Sequence, residues 1–138
     1  MNYFSSPAAA ETVAEQARAF GVKAIIVKAD VSKKTDVESL FQHVISEFGH
    51  LDIVHSNSGI EHFNSIPDVT EAEIDKTFAT NIKGQFFIAQ QAYEYLPENG
   101  RLILTSSISA VQVCHETLDT TPSQGLADYL LSHVLGVP

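Results

Sequence analysis

Three apolar runs in this sequence end in polar residues whose types suit hydrogen bonding to a small ligand. Lys23-Ala-Ile-Ile-Val-Lys28 leads to Asp30, Leu51-Asp-Ile-Val-His55 leads to Ser56-Asn-Ser-Gly59, and Arg101-Leu-Ile-Leu-Thr-Ser106 leads to Ser107. Taken alone, Asp30 reads as a strand-end carboxylate capping a turn, and Asn57 to Gly59 as a plain turn after a strand. Asn81 stands inside a helical pattern, where its amide competes for backbone hydrogen bonds. Metal chemistry has no such foothold. His43, His50, His55, His62, His115 and His133 show neither a His-x-x-x-His nor a Cys/His ligand spacing, so no metal is expected. Cys114 is the single cysteine and reads as a small, partly buried hydrophobe rather than a nucleophile.

The elements that must position these residues alternate. Ser6 and Pro7 read as N-cap and first position of a helix whose apolar face is Ala10, Val13, Ala14, Ala17 and Phe20, closed by Gly21. The run from Lys23 to Lys28, rich in β-branched residues, suits a strand buried on both faces. Ser32 is the expected cap of a second helix, with Val37, Leu40, Phe41, Val44, Ile45 and Phe48 on one face and Gly49 at its end. Leu51 to His55 is a second strand. Thr70-Glu-Ala-Glu73 matches a capping box and opens a helical stretch to about Leu96. Asn99-Gly100 is a turn before the third strand. This order predicts an α/β fold, a parallel sheet with helices on both faces, and such sheets bind ligands at the carboxyl ends of their strands. Asp30, Asn57, Ser58, Gly59, Ser106 and Ser107 all fall there. From Cys114 onward the pattern fades, with a loop over His115 to Gly125 and a short helix over Leu126 to Leu135.

Composition narrows the partners. The 138 residues are 44% hydrophobic and 18% charged, an ordinary globular balance that fits one domain. Eight basic against 17 acidic residues leave a net charge of −9, which repels nucleic acid and anionic lipid. A phosphorylated cofactor stays compatible with that charge, because backbone amides bind phosphate without cationic side chains. No apolar run approaches the roughly 20 residues of a membrane span. The first residues, MNYFSSPAAAET, do not form a signal peptide, so the expected location is the cytoplasm.

Four motifs in order resemble the short-chain dehydrogenases/reductases, most of all the fungal polyketide ketoreductases of the tetrahydroxynaphthalene and versicolorin type. They are Ala29-Asp30-Val31, His50-Leu-Asp-Ile-Val-His-Ser-Asn-Ser-Gly59, Thr80-Asn-Ile-Lys-Gly-Gln-Phe-Phe87 and Gly100-Arg-Leu-Ile-Leu-Thr-Ser-Ser107. The resemblance covers residues 1–111 as a partial domain of this family and leaves 112–138 as a divergent tail. It implies a partial Rossmann-type, doubly wound parallel sheet. It implies that Asp30 and Val31 lie along an adenine, the aspartate accepting from the exocyclic amine. It also implies that Asn57, Ser58 and Gly59 form the cofactor turn, where a residue without Cβ admits close approach. Asn81 corresponds to an asparagine at a break in the helix that helps hold a proton-relaying water. Ser107 corresponds to the serine that hydrogen-bonds a substrate carbonyl and its developing oxyanion. Asn2, Tyr3 and Ser5 fall at the end of the family's second strand and the loop after it, with Asn2 and Ser5 as cofactor contacts. An uncharged Asn2 there favours NADP(H), since no carboxylate repels a 2′-phosphate.

The pattern also departs from the family. No G-x-x-x-G-x-G segment occurs, so the phosphate-cradling loop, the first strand and the C-terminal strands are expected to be missing. The family's Tyr-x-x-x-Lys pair, whose lysine lowers the tyrosine pKa, would begin near Thr121, and no lysine follows Lys83. Tyr129-Leu-Leu-Ser-His133 keeps that internal spacing, so Tyr129 is a candidate acid as well as a plain aromatic on a short helix. Family strand order is 3-2-1-4-5-6, which predicts an unpaired strand over Lys23 to Lys28 and one open edge on the strand over Leu51 to His55. The implied activity is reduction of a ketone to an alcohol by hydride transfer in polyketide secondary metabolism, impaired in this chain. The alternatives are a catalytically inactive truncated fragment, or a non-enzymatic partner of an intact reductase docking through Phe86, Phe87 and Tyr93. A homo-oligomer is a further expectation.

Overall fold

The computed structural model describes residues 1–61 and 66–106. Strand β1 (Asn2–Tyr3) leads to α1 (Pro7–Ala19), β2 (Val27–Lys28), α2 (Lys34–Phe48) and β3 (Ile53–Ser56). A short 3-10 turn (Ile66–Asp68) precedes α3 (Glu71–Thr77), a π-helical turn (Phe78–Lys83), α4 (Gly84–Tyr95) and β4 (Arg101–Leu104). β1 pairs with β2 and β3 with β4, both in parallel. Helices thus alternate with parallel strands, the partial α/β Rossmann-type arrangement expected from the sequence.

Local chemistry explains most boundaries. Pro7 starts α1, where its missing N–H costs no helical hydrogen bond, although the Ser6 side chain makes no capping bond. Gly49 closes α2 in the left-handed region at φ 80°, its amide donating to Ile45 O at 2.8 Å. The capping box at α3 is complete: Thr70 accepts from the Glu73 amide, and the Glu73 carboxylate accepts from the Thr70 amide at 2.8 Å. Ser32 does not cap α2. Its hydroxyl is spent on Asp30, 2.7 Å away, and the helix starts at Lys34 with Lys33 as its cap.

Two expectations about the strands are corrected. The strand over Lys23 to Lys28 is not unpaired. Met1 to Tyr3 run alongside it, with Val27 N donating to Met1 O at 2.8 Å and Ala29 N to Tyr3 O at 3.0 Å. Nor is it buried on both faces: Ile25, Ile26 and Val27 are half-buried, and the ladder is two residues long because its partner is. The helical stretch from Thr70 to Leu96 is interrupted by the π-helical turn that contains Asn81.

The core joins β3, α2 and α4: Val31, Val37, Phe41, Val54, Ile88 and Ala92 are buried together, with Leu51, Phe87, Tyr95 and Leu96 against them. Phe41 and Tyr95 stack at a centroid distance of 6.0 Å. Among the described residues the other face of β3 and β4 is open, with Ile53 61% and Ile103 49% exposed. Gly84 brings α4 against the chain after β2. A Cβ there would lie 3.1 Å from both the carbonyl oxygen and Cγ2 of Val31. That contact sets the distance between the helix and the strand end where Asp30 and Val31 sit.

Candidate functional site

A cleft of about 460 Å³ opens at the carboxyl ends of β1, β2 and β3. Asn2, Tyr3 and Phe4 line one end, Ala29 to Ser32 its floor, and Asn57 to Ile60 the opposite wall, with Lys76 and Thr80 reaching in from α3 and the π-helical turn. The structure therefore gathers Asn2, Asp30, Val31, Asn57, Ser58 and Gly59 in one place. Ser5 is not among them. It lines a neighbouring hollow of about 400 Å³ with Phe4 and residues of α1, because the chain turns away from the strand ends to enter that helix. Ser107 and Tyr129 lie outside the described residues, as do His62 and the tail 112–138.

Each wall is held differently. Asp30 Oδ1 accepts from the Ser32 amide at 3.1 Å and hydroxyl at 2.7 Å, and Lys33 Nζ stands 3.6 Å from Oδ2. Burial pushes the Asp30 pKa up. The two Ser32 hydrogen bonds and the Lys33 charge outweigh it, so the carboxyl is held below its ordinary value and is ionised at neutral pH. The turn-capping reading of Asp30 is therefore realised, while its carboxylate still borders the cleft. The Asn2 amide is used to join β1 to the next strand: Nδ2 donates to Ala29 O at 3.0 Å, with Tyr3 O and Val27 O at 3.3 and 3.4 Å.

Asn81 is buried and grips the main chain just past the cofactor-type turn. Its Oδ1 accepts from the Ile60 amide and its Nδ2 donates to the Ile60 carbonyl, both at 2.9 Å. A regular α-helix would turn the amide elsewhere. The wider π-helical turn, common where a helix serves a site, presents it to Ile60. Among the described residues nothing requires glycine at position 59: its φ is not positive, and an added Cβ would meet the Asn81 amide, Oδ1 at an ordinary 3.7 Å. The open side of Gly59 faces the cleft, so a requirement for glycine there would come from what the cleft holds.

The sequence pattern of the short chain dehydrogenase family matches residues 3–117. The chain belongs to the short chain dehydrogenase family. Versicolorin reductase 1 of Aspergillus parasiticus is 46% identical over 110 residues, 80% of this chain and 42% of that protein. A short chain dehydrogenase of Passalora fulva is 44% identical over 107 residues, 78% of this chain and 40% of the relative. The chain thus spans about 40% of the length of such relatives. Among solved structures, a Burkholderia cenocepacia short chain dehydrogenase in complex with NADP superimposes with a TM-score of 0.88 at 30% identity, over 96% of this chain and 53% of that one.

Within this short chain dehydrogenase domain, sequence reasoning overlooked Lys76 and Thr80, which the helical turn places one above the other over the cleft. The signal available was their spacing of four and the position of Thr80 directly before Asn81. It also gave no role to Gly84, Gln85 or Thr105. Gln85 is 5% exposed and its Nε2 donates to Thr105 O at 2.9 Å. Phe87 packs into the core, so of the three aromatics considered for docking only Phe86 and Tyr93 are exposed. Among the described residues no helix is long and apolar enough to cross a membrane, and no three His, Cys, Asp or Glu side chains converge.

Proposed function

We propose that the cleft receives the adenosine half of NADP(H), and that the chain serves an NADP-dependent ketoreductase acting on a polyketide-type ketone. The observation that carries this reading is the convergence on one cleft of an ionised Asp30, the Ala29–Ser32 segment that lines its floor, and a Gly59 that no described residue requires to be glycine. Asp30 accepts from the purine's exocyclic amine, and the Asn57–Gly59 turn presents backbone at close range. Asn81 keeps that turn in place. Asn2, neutral and bound to main chain, leaves the ribose end without a carboxylate, which favours a 2′-phosphate. Phosphate would be taken by backbone amides rather than by net charge, since the chain carries −9.

When bound, the nicotinamide supplies hydride to a carbonyl carbon. Ser107 then holds the carbonyl oxygen and its developing charge, Asn81 contributes to a water relay, and Tyr129 is the candidate proton donor. The similarity to versicolorin reductase 1 and to a hydroxynaphthalene reductase-like protein of Metarhizium brunneum, 44% identical over 110 residues, supports an aromatic or cyclic ketone as substrate. The reading places the reaction in the cytoplasm. It also makes the exposed Phe86 and Tyr93 of α4 the surface for a second copy or an intact reductase. A fluorescence titration of the chain with NADPH and NADH tests the cofactor assignment. Saturable NADPH binding, tighter than NADH by about tenfold or more, is the expected outcome. No binding of either would leave the catalytically inactive fragment as the better account.

A further inference from the structure

Thr105, just beyond β4, is engaged at every polar atom it owns. Its amide donates to Ser56 O at 3.0 Å, and its carbonyl accepts from Gln85 Nε2 at 2.9 Å. Its hydroxyl donates to Asn57 Oδ1 at 2.9 Å and lies 2.9 Å from His55 Nε2. A hydroxyl has one proton to give. With that proton on Asn57, the His55 contact is made by Nε2–H donating to Thr105 Oγ1, which sets the imidazole tautomer. Asn57 is thereby oriented too: its carbonyl faces Thr105 and its NH₂ group points away from it. The chain His55, Thr105, Asn57 crosses from the outer face of β3 to the wall of the cleft, joining residues 48 and 50 apart in sequence.

The main-chain ladder of β3 and β4 ends at the Thr105–Ser56 bond and says nothing about how the next turn is tilted. Of the polar atoms of Thr105, only the hydroxyl reaches into that turn. We propose that the Thr105 side chain is a positioning group, coupling the Asn57–Gly59 turn of the cleft to the end of β4, with His55 as its second anchor. This rests on the cofactor reading for its functional consequence, but the coupling itself is a physical property of the chain. Thr105 is exposed, so valine at this position removes the hydroxyl while keeping the shape, and serine returns the hydroxyl without the methyl.

The test compares the chain with Thr105→Val and Thr105→Ser by proton–nitrogen correlation spectroscopy and by NADPH titration. In Thr105→Val the Asn57 side-chain amide and the Ser58 and Gly59 backbone amides shift, and NADPH binds about fivefold more weakly, as expected for one lost hydrogen bond. In Thr105→Ser both readouts return to within about twofold of the parent chain. An Asn57 amide that does not move in Thr105→Val overturns the coupling, whatever the affinity. Shifted amides with unchanged NADPH affinity overturn the positioning role. If the parent chain takes up no NADPH, the cofactor reading fails, and the amide shifts alone decide whether the coupling stands.

Discussion

The two turns that face each other across the cleft are built on opposite plans. The turn after β2 is local: Asp30, Ser32, Lys33 and Asp36 satisfy one another within six residues, Asp36 Oδ2 accepting the Asp30 amide at 3.0 Å. The turn after β3 is held from afar, by Asn81 from 21 residues away and by Thr105 from 48. The local wall keeps its shape wherever the strand ends. The remote wall exists only if the π-helical turn and β4 are in place, so it is the part of the cleft that damage elsewhere should reach first.

Asn81→Leu should separate the two plans most sharply. It removes both bonds to Ile60 and leaves a main-chain N–H and C=O unpaired in a half-buried setting, a loss of about 3 kcal/mol. Urea unfolding should show that loss. Hydrogen exchange should quicken at Ile60 and leave the Asp30–Asp36 turn as it was. Equal quickening of both turns would mean that they form one unit.

Gly84→Ala tests the contact that links them. Its methyl meets the Val31 carbonyl at 3.1 Å, where backbone must give way, and a cost of about 2 kcal/mol is expected. Because Val31 belongs to the local wall and Gly84 to the helix behind the remote one, amide shifts should appear on both sides of the cleft. A neutral melting temperature would show that α4 can back off freely.

Asp30→Asn should have the smallest effect on stability, about 0.5–1 kcal/mol at neutral pH, since the amide oxygen can still accept from Ser32. Its pH dependence is the sharper readout. The folded pKa of Asp30 is below its ordinary 3.8, so the ionised form stabilises the fold fully above that value. The contribution is lost as pH falls through the lower, folded value. The difference between the chain and Asp30→Asn in thermal unfolding should therefore hold from neutral pH down to about pH 5 and shrink below about pH 4.

The same contrast explains what could be read from the sequence. Features that act on neighbours a few residues away were legible: the Asp30 turn of the local wall, and elsewhere the Thr70–Glu73 box and the Gly49 stop. Ser32 as a helix cap is a local misreading: its hydroxyl turns back to donate to Asp30, and the helix starts at Lys34 with Lys33 at the cap position. Asn57, Ser58, Gly59 and Asn81 are legible as motif members, but the two bonds from Asn81 to Ile60 depend on a π-helical turn that periodicity cannot show. Lys76, Thr80, Gln85 and Thr105 have no local signal of a role, because the cleft that the first two line and the bond between the last two arise only when helices pack on strands. The resemblance makes Ser5 a cofactor contact beside Asn2, while the entry into α1 carries it into the neighbouring hollow. Family strand order predicts an unpaired strand over Lys23 to Lys28, whereas Met1 to Tyr3 run beside it and give it a two-residue partner.

Mapping NADPH onto the chain by proton–nitrogen correlation spectroscopy tests the central claim most directly. Binding in the cleft predicts that the amides of Asp30, Val31, Ser58, Gly59 and Ile60 shift together and saturate at one affinity, with α1 and the far end of α2 unmoved. Saturable shifts confined to other surfaces, or none at these five residues, would contradict it.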